Sequence, residues 1–542
     1  MIKISLSTNN ATGYRWFASE RTFVKGYLFT KEGLLYKDES LHAYFEQTAG
    51  KDDFIEKVCS ATGLFSVLIH EENHLLAAVD VVRAFPLFYC QSRGDFCISD
   101  TPGMLLNKIT ETSLKKKSIL QLEAIGYVLG RDTLLNDVYQ IQAGEAVFFD
   151  KEGFSRQFYM NNHLLRRQSS DKGKELLRTE FHQMLSLLSK RLIQLLDSRP
   201  VALPLSGGYD SRLLACLLKK EGYENVTCFT YGSSGTPEKE NACKTAEALG
   251  YKWIFINHSD YLNEDVFGSQ QFDEWVDFSA LYSSFPEIQE YVAARTLKAK
   301  NLIPNDAVII PGHTADVTAG GHLLPGTERL TNIPILARYA SLKNVNLKQL
   351  KKEERKSLDK DIVQTMCYYN ASGTIDYRLY ELWQTKERQT KQIVNSSKIW
   401  DFFGYQYVLP FWDELFVSFF ASLPHLYKVN KNFYDEAVKA LFSENNLPAA
   451  HNQKTTQLTV WKQRIKLWLM KFFLLRPLLD RKILWKNDFS CYRHVTKNIV
   501  AELKQAGSYK HILRFNGILS AWYFLYIRRK LPRLKSIQQI KE

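Results

Sequence analysis

One segment, residues 201–220, constrains the fold of this chain more than any other. It begins with the apolar run Val-Ala-Leu-Pro-Leu, continues with Ser-Gly-Gly-Tyr-Asp-Ser at residues 206–211, and ends in leucines at helical spacing. Such an apolar run predicts a buried strand, and apolar residues three and four positions apart predict an amphipathic helix. The segment therefore predicts a strand, a tight turn and a helix in direct succession.

The turn has the composition of a phosphate-binding loop. Gly207 and Gly208 let the backbone turn sharply and approach a ligand with no Cβ atom in the way. The N-terminus of the following helix attracts anions, because its first N–H groups lack partners within the helix. Asp210 offers a carboxylate to a Mg²⁺ ion that is bound to phosphate oxygens. No Gly-Lys-Ser/Thr follows, so the segment is not a Walker-type P-loop.

Residues 204–211 resemble the pyrophosphate-binding loop of the ATP pyrophosphatases, which cleave ATP to AMP and pyrophosphate. The resemblance implies that the chain uses ATP and Mg²⁺. The nucleotide contacts that it implies are Leu205, Ser206, Gly207, Gly208, Asp210 and Ser211. The alternative interpretation is an ordinary strand–turn–helix connection without a ligand.

Beyond residue 200, short apolar runs alternate with helical patterns. Runs at 225–231 and 253–256 enclose a helical pattern at 238–249. This alternation predicts a doubly wound α/β domain with a parallel sheet, in which ligands bind at the carboxyl ends of the strands. Resemblance to related synthetases assigns Tyr231 and Gly232 to the adenine and ribose of ATP.

A further apolar run at 307–310 leads into Pro-Gly-His-Thr-Ala-Asp at residues 311–316. The matching segment of asparagine synthetases, which this part of the chain resembles, reads Ser-Gly-Glu-Gly-Ser-Asp-Glu, and its Asp completes the Mg²⁺ site. The resemblance implies that Gly312 contacts the nucleotide and that Asp316, with Asp210, is a catalytic and metal-binding carboxylate. His313 and Val317 replace the two Glu residues, so the family's contacts to aspartate are not carried over.

The sequence contains no pattern typical of a zinc site. His313 and His322 lie nine residues apart on a glycine-rich loop without a visible third ligand, which favours hydrogen-bonded loop histidines. The eight cysteines are scattered and form no Cys-x-x-Cys pair. They are expected to be reduced thiols in a cytoplasmic protein.

Residues 1–165 are rich in strand patterns and resemble the glutaminase domain of asparagine synthetases, an Ntn-type β-rich sandwich. The resemblance rests on Asp-Val-Val-Arg-Ala-Phe-Pro-Leu-Phe-Tyr at residues 80–89 and on the segment at 127–144. In that family a cysteine at position 2 attacks the amide of glutamine. This chain has Ile2 there, and Thr62-Gly63-Leu64 stands where the family has Asn-Gly-Glu. We therefore expect an inactive glutaminase-like domain, as in β-lactam synthetases.

Two later segments also resemble the family. Pro-Phe-Trp-Asp at residues 410–413 matches its Pro-Phe-Leu-Asp, and Asp413 is expected to be a structural helix cap. His-Asn-Gln-Lys-Thr at 451–455 resembles its Arg-Gln-Lys-Glu loop, which implies Lys454 as the catalytic lysine near the α-phosphate. The alternative for Lys454 is a solvated side chain.

The positive charge is concentrated at the end of the chain. Residues 451–542 contain 20 Lys and Arg against 4 Asp and Glu, whereas the formal net charge of the whole chain is +13. In residues 461–476 and 522–530 the basic side chains interleave with aromatic and leucine side chains. Residues 461–542 are therefore expected either to contact an anionic membrane surface or to form a helical cap on the synthetase domain. No nucleic-acid-binding module is recognised, so no nucleic-acid partner is expected.

No signal peptide and no apolar stretch of about 18 residues is recognised, so a cytoplasmic protein is expected, with peripheral membrane contact as an open alternative. The sequence predicts a glutaminase-like domain at 1–165, a synthetase domain at 175–455 and a basic helical extension at 456–542. The oligomeric state stays open, a dimer included.

The predicted function is that of an asparagine synthetase-like ligase. ATP adenylates a carboxylate, pyrophosphate leaves, and an amine or ammonia takes the acyl group, without glutaminase activity. The amine belongs to a second substrate or to the same substrate, as in β-lactam synthetases or lasso-peptide cyclases. The alternatives are an ammonia-using asparagine synthetase and a catalytically silent nucleotide-binding scaffold. Side chains at 278–290 are expected to select the carboxylate, a small molecule, a peptide or a sugar acid.

Overall fold

A computed structural model describes residues 1–7, 11–92, 94–109, 112–159, 172–262, 264–448, 488 and 490–531. Within these ranges no helix combines the length and apolar character needed to cross a membrane. Lys454 and the basic segment at 461–476 lie outside the described residues, so their predicted roles stay predictions.

The N-terminal part is built mainly from strands. The strands are β1 (Ile2–Ser5), β2 (Phe17–Ala18), β3 (Thr22–Phe29), β4 (Leu35–Lys37), β5 (Thr62–Glu71), β6 (His74–Val79), β7 (Phe88–Ser92), β8 (Asp95–Ser99), β9 (Tyr139–Gln140), β10 (Glu145–Asp150) and β11 (Gly153–Phe158). The helices are α1 (Asp38–Glu46), α2 (Lys51–Ser60), α3 (Pro102–Leu105) and α4 (Lys116–Ile125).

These strands form two sheets that share a core. One sheet has the order β1-β8-β7-β9, and the other has the order β11-β10-β6-β5-β3-β2 with β4 beside β3. Leu68 and Val79 of the larger sheet lie in one buried cluster with Tyr89 and Ile98 of the smaller sheet. The two layers agree with the expected β-rich sandwich, whereas its Ntn-type character stays a prediction.

The second part is a parallel sheet with helices around it. Its strands are β12 (Val201–Pro204), β13 (Val226–Gly232), β14 (Lys252–Asn257), β15 (Val308–Ile309) and β16 (Gln406–Tyr407). Its helices up to residue 369 are α5 (Lys174–Leu196), α6 (Tyr209–Lys220), α7 (Pro237–Leu249), α8 (Gln270–Ala280), α9 (Tyr291–Ala299), α10 (Ala315–Thr318), α11 (Ile333–Asn344) and α12 (Lys352–Tyr369).

The remaining elements follow along the chain. They are α13 (Tyr377–Gln384), a π-helix (Thr385–Val394), α14 (Lys398–Phe402), α15 (Glu414–Ser422), α16 (His425–Lys428), α17 (Asn432–Glu444), α18 (Tyr492–Val495), α19 (Lys497–Gln505) and α20 (Phe515–Lys530). Short 3₁₀ turns cover His258–Tyr261, Val266–Gly268, Thr327–Arg329, Pro410–Trp412 and Val429–Lys431.

The strand order of the second sheet is β14-β13-β12-β15-β16, and all neighbouring pairs are parallel. The predicted parallel α/β sheet is therefore confirmed. One boundary differs from the sequence prediction, because α6 begins at Tyr209 rather than at the first residue of the leucine pattern. Asp210 and Ser211 consequently lie in the first turn of the helix.

Helix α20 packs against both parts. Ser520 of α20 donates a hydrogen bond to the carbonyl of Leu122 in α4, and Tyr523 accepts one of 3.1 Å from the N–H of Tyr282. Trp522, whose indole donates to Glu502 at 3.1 Å, is 4% exposed. Trp522, Tyr523 and Tyr526 are therefore buried in the described part, in agreement with the helical cap. Contact of residues 461–542 with an anionic membrane surface stays a prediction.

Candidate active site

The carboxyl ends of β12, β13 and β15 open onto one cavity with a volume of about 1210 Å³. Most of the predicted site residues line it: Leu205, Ser206, Gly208, Asp210, Ser211, Tyr231, Gly312 and Asp316. Gly207 and Gly232 do not line it, although both belong to the segments that do. The structure thus brings together three segments that are up to about a hundred residues apart in the sequence.

Hydrogen bonds between its own residues hold the loop after β12 in shape. Ser206 N–H donates to Ser211 Oγ at 3.0 Å, and the two serine hydroxyls are 3.1 Å apart. Gly208, the N-cap residue of α6, donates its N–H to Ser206 Oγ at 3.2 Å. The positive end of the helix dipole is therefore directed at the cavity, as the phosphate-binding interpretation requires.

Gly312 lies against the start of α6. A Cβ atom at this position would lie 2.6 Å from the backbone nitrogen of Ser211 and 2.8 Å from its Cα. These distances are shorter than van der Waals contact, so any side chain would push the two loops apart. The resemblance assigned Gly312 to nucleotide contact, and the structure supplies a steric reason for glycine.

Asp210 and Asp316 meet at the edge of the cavity. Asp316 N–H donates to Asp210 Oδ2 at 3.2 Å, and the hydroxyl of Tyr434 donates to Asp210 Oδ1 at 2.8 Å. Burial, reinforced by the negative charge of Asp316, raises the pKa of Asp210 to about 7. Two carboxylates facing one space are stabilised by a cation between them, and hard oxygen ligands suit Mg²⁺.

The two carboxylates therefore fit the predicted magnesium site. Among the described residues no group of three His, Cys, Asp or Glu side chains is arranged to hold a metal ion. A divalent ion held by Asp210 and Asp316 would thus take its other ligands from nucleotide phosphates and water, which is the usual coordination of Mg²⁺.

Lys431 lines this edge of the cavity, and Tyr434 supports it through its hydrogen bond to Asp210. Lys431 Nζ lies 3.2 Å from Asp435 Oδ1, one helical turn away. Burial alone would lower the pKa of Lys431, but the negative charges of Asp435, Asp210 and Asp316 raise it. Sequence reasoning assigned no individual role to Lys431, and no sequence pattern indicated Tyr434.

A second acidic group lies beside Tyr231. The Tyr231 hydroxyl donates to Glu290 Oε1 at 3.1 Å, and its ring stacks on His258 with centroids 5.6 Å apart. His313 Nε2 lies 3.8 Å from Glu290 Oε1. Burial raises the pKa of Glu290 to about 7 and lowers the pKa of His313 to about 4. Glu290 is the last residue of the segment at 278–290 that was expected to select the carboxylate, and sequence reasoning assigned it no individual role.

His322 belongs to a different cluster. Its Nε2 lies 3.7 Å from Glu381 Oε1, and Lys428 Nζ contacts both oxygens of Glu381 at 2.6 and 2.8 Å. Burial, aided by the positive charge of Lys428, lowers the pKa of His322 to about 3. Since His313 and His322 face different carboxylates, the structure gives no support to a zinc pair.

Asp413 has the structural role that was expected of it. Its carboxylate accepts a 2.8 Å hydrogen bond from Leu415 N–H at the start of α15 and lies 2.8 Å from Arg191 Nη1. It therefore caps the helix and ties it to α5.

The positions that the resemblance assigns to a glutaminase site are filled. Ile2 lies in β1 opposite Phe96, and its side chain belongs to the core at 7% exposure. Thr62, Gly63 and Leu64 border a second cavity of only about 30 Å³. A space of this size holds about one water molecule.

The sequence matches one family model. Residues 187–454 match the model of the asparagine synthase family. The chain is also similar to the microcin J25-processing protein McjC of Escherichia coli, with 25% identity over 217 residues. This match covers 39% of the chain and 39% of that protein, so the chain spans about two fifths of the length of this curated relative.

Solved structures give weaker likenesses. The NH₃-dependent NAD synthetase of Campylobacter jejuni matches with a TM-score of 0.21 and 15% identity, over 40% of this chain and 95% of that chain. The glutamine phosphoribosylpyrophosphate amidotransferase of B. subtilis matches with a TM-score of 0.18 and 11% identity, over 56% of this chain and 59% of that chain.

Proposed function

The chain belongs to the asparagine synthetase superfamily through residues 187–454, and we propose from this premise that it is an ATP-dependent ligase that activates a carboxylate as an acyl-adenylate and converts it to an amide. The observation that carries the proposal is that Asp316 lies beside the 206–211 loop, which contains Asp210, at one cavity. A scaffold that only binds a protein partner would not need this combination of groups.

The first half-reaction joins the substrate to AMP. A carboxylate oxygen attacks the α-phosphorus of ATP, the bond to the β-phosphate breaks, and pyrophosphate leaves. The 206–211 loop and the N-terminus of α6 would hold the leaving pyrophosphate. Mg²⁺ held by Asp210 and Asp316 would neutralise charge on the phosphates. Lys431, with its raised pKa, stays cationic beside them.

In the second half-reaction an amine attacks the acyl carbon, AMP leaves, and a proton is released. Lys454 is proposed to stabilise the charge that develops at this step. The chain's own share in both steps is to position the reactants and compensate charge, which are the main sources of rate enhancement in such reactions.

A substrate larger than aspartate is favoured within this class. The cavity of about 1210 Å³ exceeds the roughly 300–1,000 Å³ of a pocket for one small molecule, as expected of a site that holds ATP together with a carboxylate substrate. His313 and Val317 stand where asparagine synthetases have glutamates. The similarity to a microcin-processing protein favours a peptide carboxylate over free aspartate.

The proposed function predicts exchange of labelled pyrophosphate into ATP. The full chain would be incubated with ATP, Mg²⁺, labelled pyrophosphate and pools of carboxylates: amino acids, peptides and sugar acids. Exchange above the carboxylate-free blank is expected with at least one pool, and hydroxylamine should trap the adenylate as a hydroxamate. Absence of exchange with every pool, although the chain binds ATP, would favour the catalytically silent nucleotide-binding scaffold.

No glutaminase activity is expected, since position 2 is a core isoleucine and Leu64 offers no carboxylate to hold glutamine. Glutamine incubated with the chain, ATP and Mg²⁺ should release glutamate no faster than the protein-free blank. Steady glutamate release that depends on the protein would contradict the assignment of an inactive domain.

A further inference from the structure

Glu290 lies beside the carboxyl ends of β13 and β15. Its Oε1 accepts from the Tyr231 hydroxyl at 3.1 Å and lies 3.8 Å from His313 Nε2. Tyr231 lies at the end of β13, and His313 follows β15. Because β12 runs between these two strands, Glu290 lies across the end of the strand that leads into the 206–211 loop.

The second oxygen of this carboxylate has no partner among the residues that the structure describes. Glu290 Oε2 is buried without a hydrogen bond in the described structure, and the side chain is only 11% exposed. Among the described residues neither Lys nor Arg forms an ion pair with Glu290. A buried carboxylate oxygen without a donor is costly, so a ligand that donates hydrogen bonds would stabilise this arrangement.

The surroundings of Glu290 are aromatic and carry further acceptors. Tyr231 and Tyr492 line the same cavity, as does the carboxylate of Glu287. The negative charge of Glu287 acts on Glu290, and those of both glutamates act on Tyr492. Flat rings beside carboxylates suit a ligand with a planar face and hydroxyl or amino donors, which is the chemistry of a nucleoside.

We propose that Glu290 recognises the nucleoside half of ATP, its free carboxylate oxygen accepting a hydrogen bond from the ribose hydroxyls or from the amino group of adenine. This inference rests on the proposed function, in which the phosphates of ATP lie at the neighbouring 206–211 loop. Tyr231 is then a positioning residue, because its hydroxyl occupies Oε1 and leaves Oε2 to the ligand.

The carboxylate should ionise as the nucleotide binds. Burial gives Glu290 a pKa of about 7, and hydrogen bonds from a ligand favour the ionised form. ATP affinity should therefore rise between pH 6 and pH 8, and less so in Glu290→Gln. The charged and titratable groups that face Glu290 are Tyr231 from β13, His313 from the loop after β15, Glu287 from its own segment and Tyr492 from α18. The wild type and Glu290→Gln both contain these groups, so their titration affects both proteins alike.

The test is calorimetric titration of the full chain with Mg²⁺ and α,β-methylene ATP, which cannot release pyrophosphate. Glu290→Gln is expected to weaken binding on the order of ten- to a hundredfold, the loss typical of one charge-assisted hydrogen bond. Binding of inorganic pyrophosphate should not change. Glu274→Gln, an exposed position on α8, is the matched control and should bind like the wild type.

Nucleotide analogues distinguish the two donors. If the ribose donates, 2′-deoxy or 3′-deoxy ATP binds the wild type more weakly than ATP does, and Glu290→Gln no longer discriminates. If the amino group of adenine donates, inosine triphosphate, which lacks this group, binds the wild type more weakly than ATP does, and Glu290→Gln no longer discriminates between the two nucleotides. Tyr231→Phe, which keeps the ring, should weaken ATP binding but not pyrophosphate binding, and it serves as the second variant should Glu290→Gln unfold.

The outcomes separate the two proposals. If the wild type binds ATP and both variants bind all nucleotides as the wild type does, the role of Glu290 is refuted while the ligase proposal stands. If the wild type binds neither ATP nor pyrophosphate, the proposed function itself fails.

Discussion

Asp210→Ala and Asp316→Ala are each expected to lower the rate of ATP–pyrophosphate exchange by on the order of 10²–10³, the loss seen when one preorganised electrostatic group is removed from an active site. Each substitution removes one of the two carboxylates that meet at the cavity edge, where Asp316 N–H lies 3.2 Å from Asp210 Oδ2. The rate would be measured with saturating carboxylate over a range of Mg²⁺ concentrations.

Two further variants distinguish loss of the metal site from loss of structure. Asp210→Asn keeps the shape of the side chain and an acceptor for Tyr434, so it should fold normally yet require more Mg²⁺. Tyr434→Phe keeps both carboxylates and removes only the 2.8 Å hydrogen bond to Asp210, so a smaller loss is expected. Near-normal exchange in both alanine variants would show that these carboxylates do not hold the metal.

Lys391→Met is expected to lower the free energy of unfolding by about 3–5 kcal/mol, because it leaves the carboxylate of Glu387 buried without its cation. Lys391 Nζ lies 2.7 Å from Glu387 Oε2, and the two side chains are 1% and 0% exposed. The ammonium also donates to the carbonyls of Val128 and Gly130 at 2.9 and 2.7 Å. Denaturant unfolding of the full chain measures the loss.

Lys356→Met is the control for this prediction. Lys356 Nζ pairs with Glu353 at 3.2 Å, also within one helix, but the side chains are 64% and 78% exposed. Exposed pairs contribute about 0–1 kcal/mol, so little change is expected. Equal losses of unfolding free energy in both variants would show that burial does not determine how much the Lys391–Glu387 pair contributes to stability.

The buried pair also connects the two parts of the chain. Gly130 N–H donates to Glu387 Oε1 at 2.9 Å, and Lys386 Nζ donates to the carbonyl of Ala143 at 2.6 Å. Lys386 and Glu387 belong to the π-helix. Arg388 and Gln392 of the same helix line the cavity. The N-terminal part thus supports one wall of the candidate site.

The strand, the turn and the helix start at 201–220 could be predicted because they depend on neighbouring residues. Apolar periodicity and two glycines are local signals, and the structure differs from the prediction only in the first turn of α6. The π-helix could not be predicted in this way. Its residues carry an ordinary helical pattern, and the wider turn accompanies buried contacts to residues 128–145, which are distant in sequence.

Only the tertiary structure showed which polar groups pair with each other across the cavity. Resemblance indicated Asp316, but nothing in the sequence showed that Tyr434 would donate to Asp210 or that Glu290 would lie between Tyr231 and His313. The basic, aromatic sequence at 522–530 allowed a membrane-facing or a packed helix. Trp522 packs against Phe272 of α8 and Glu502 of α19, and Tyr523 contacts Tyr282, which decided for packing in the described part.

The sequence by itself determined the alternating α/β pattern, the position of the loop after β12 and the absence of a nucleophile at position 2. These follow from short-range spacing and from side-chain chemistry, which a chain carries before it folds. Only the tertiary structure decided which charges are buried, which are paired and which are left to face a ligand. Those outcomes depend on the free energy of removing polar groups from water, which is set by contacts between residues distant in sequence.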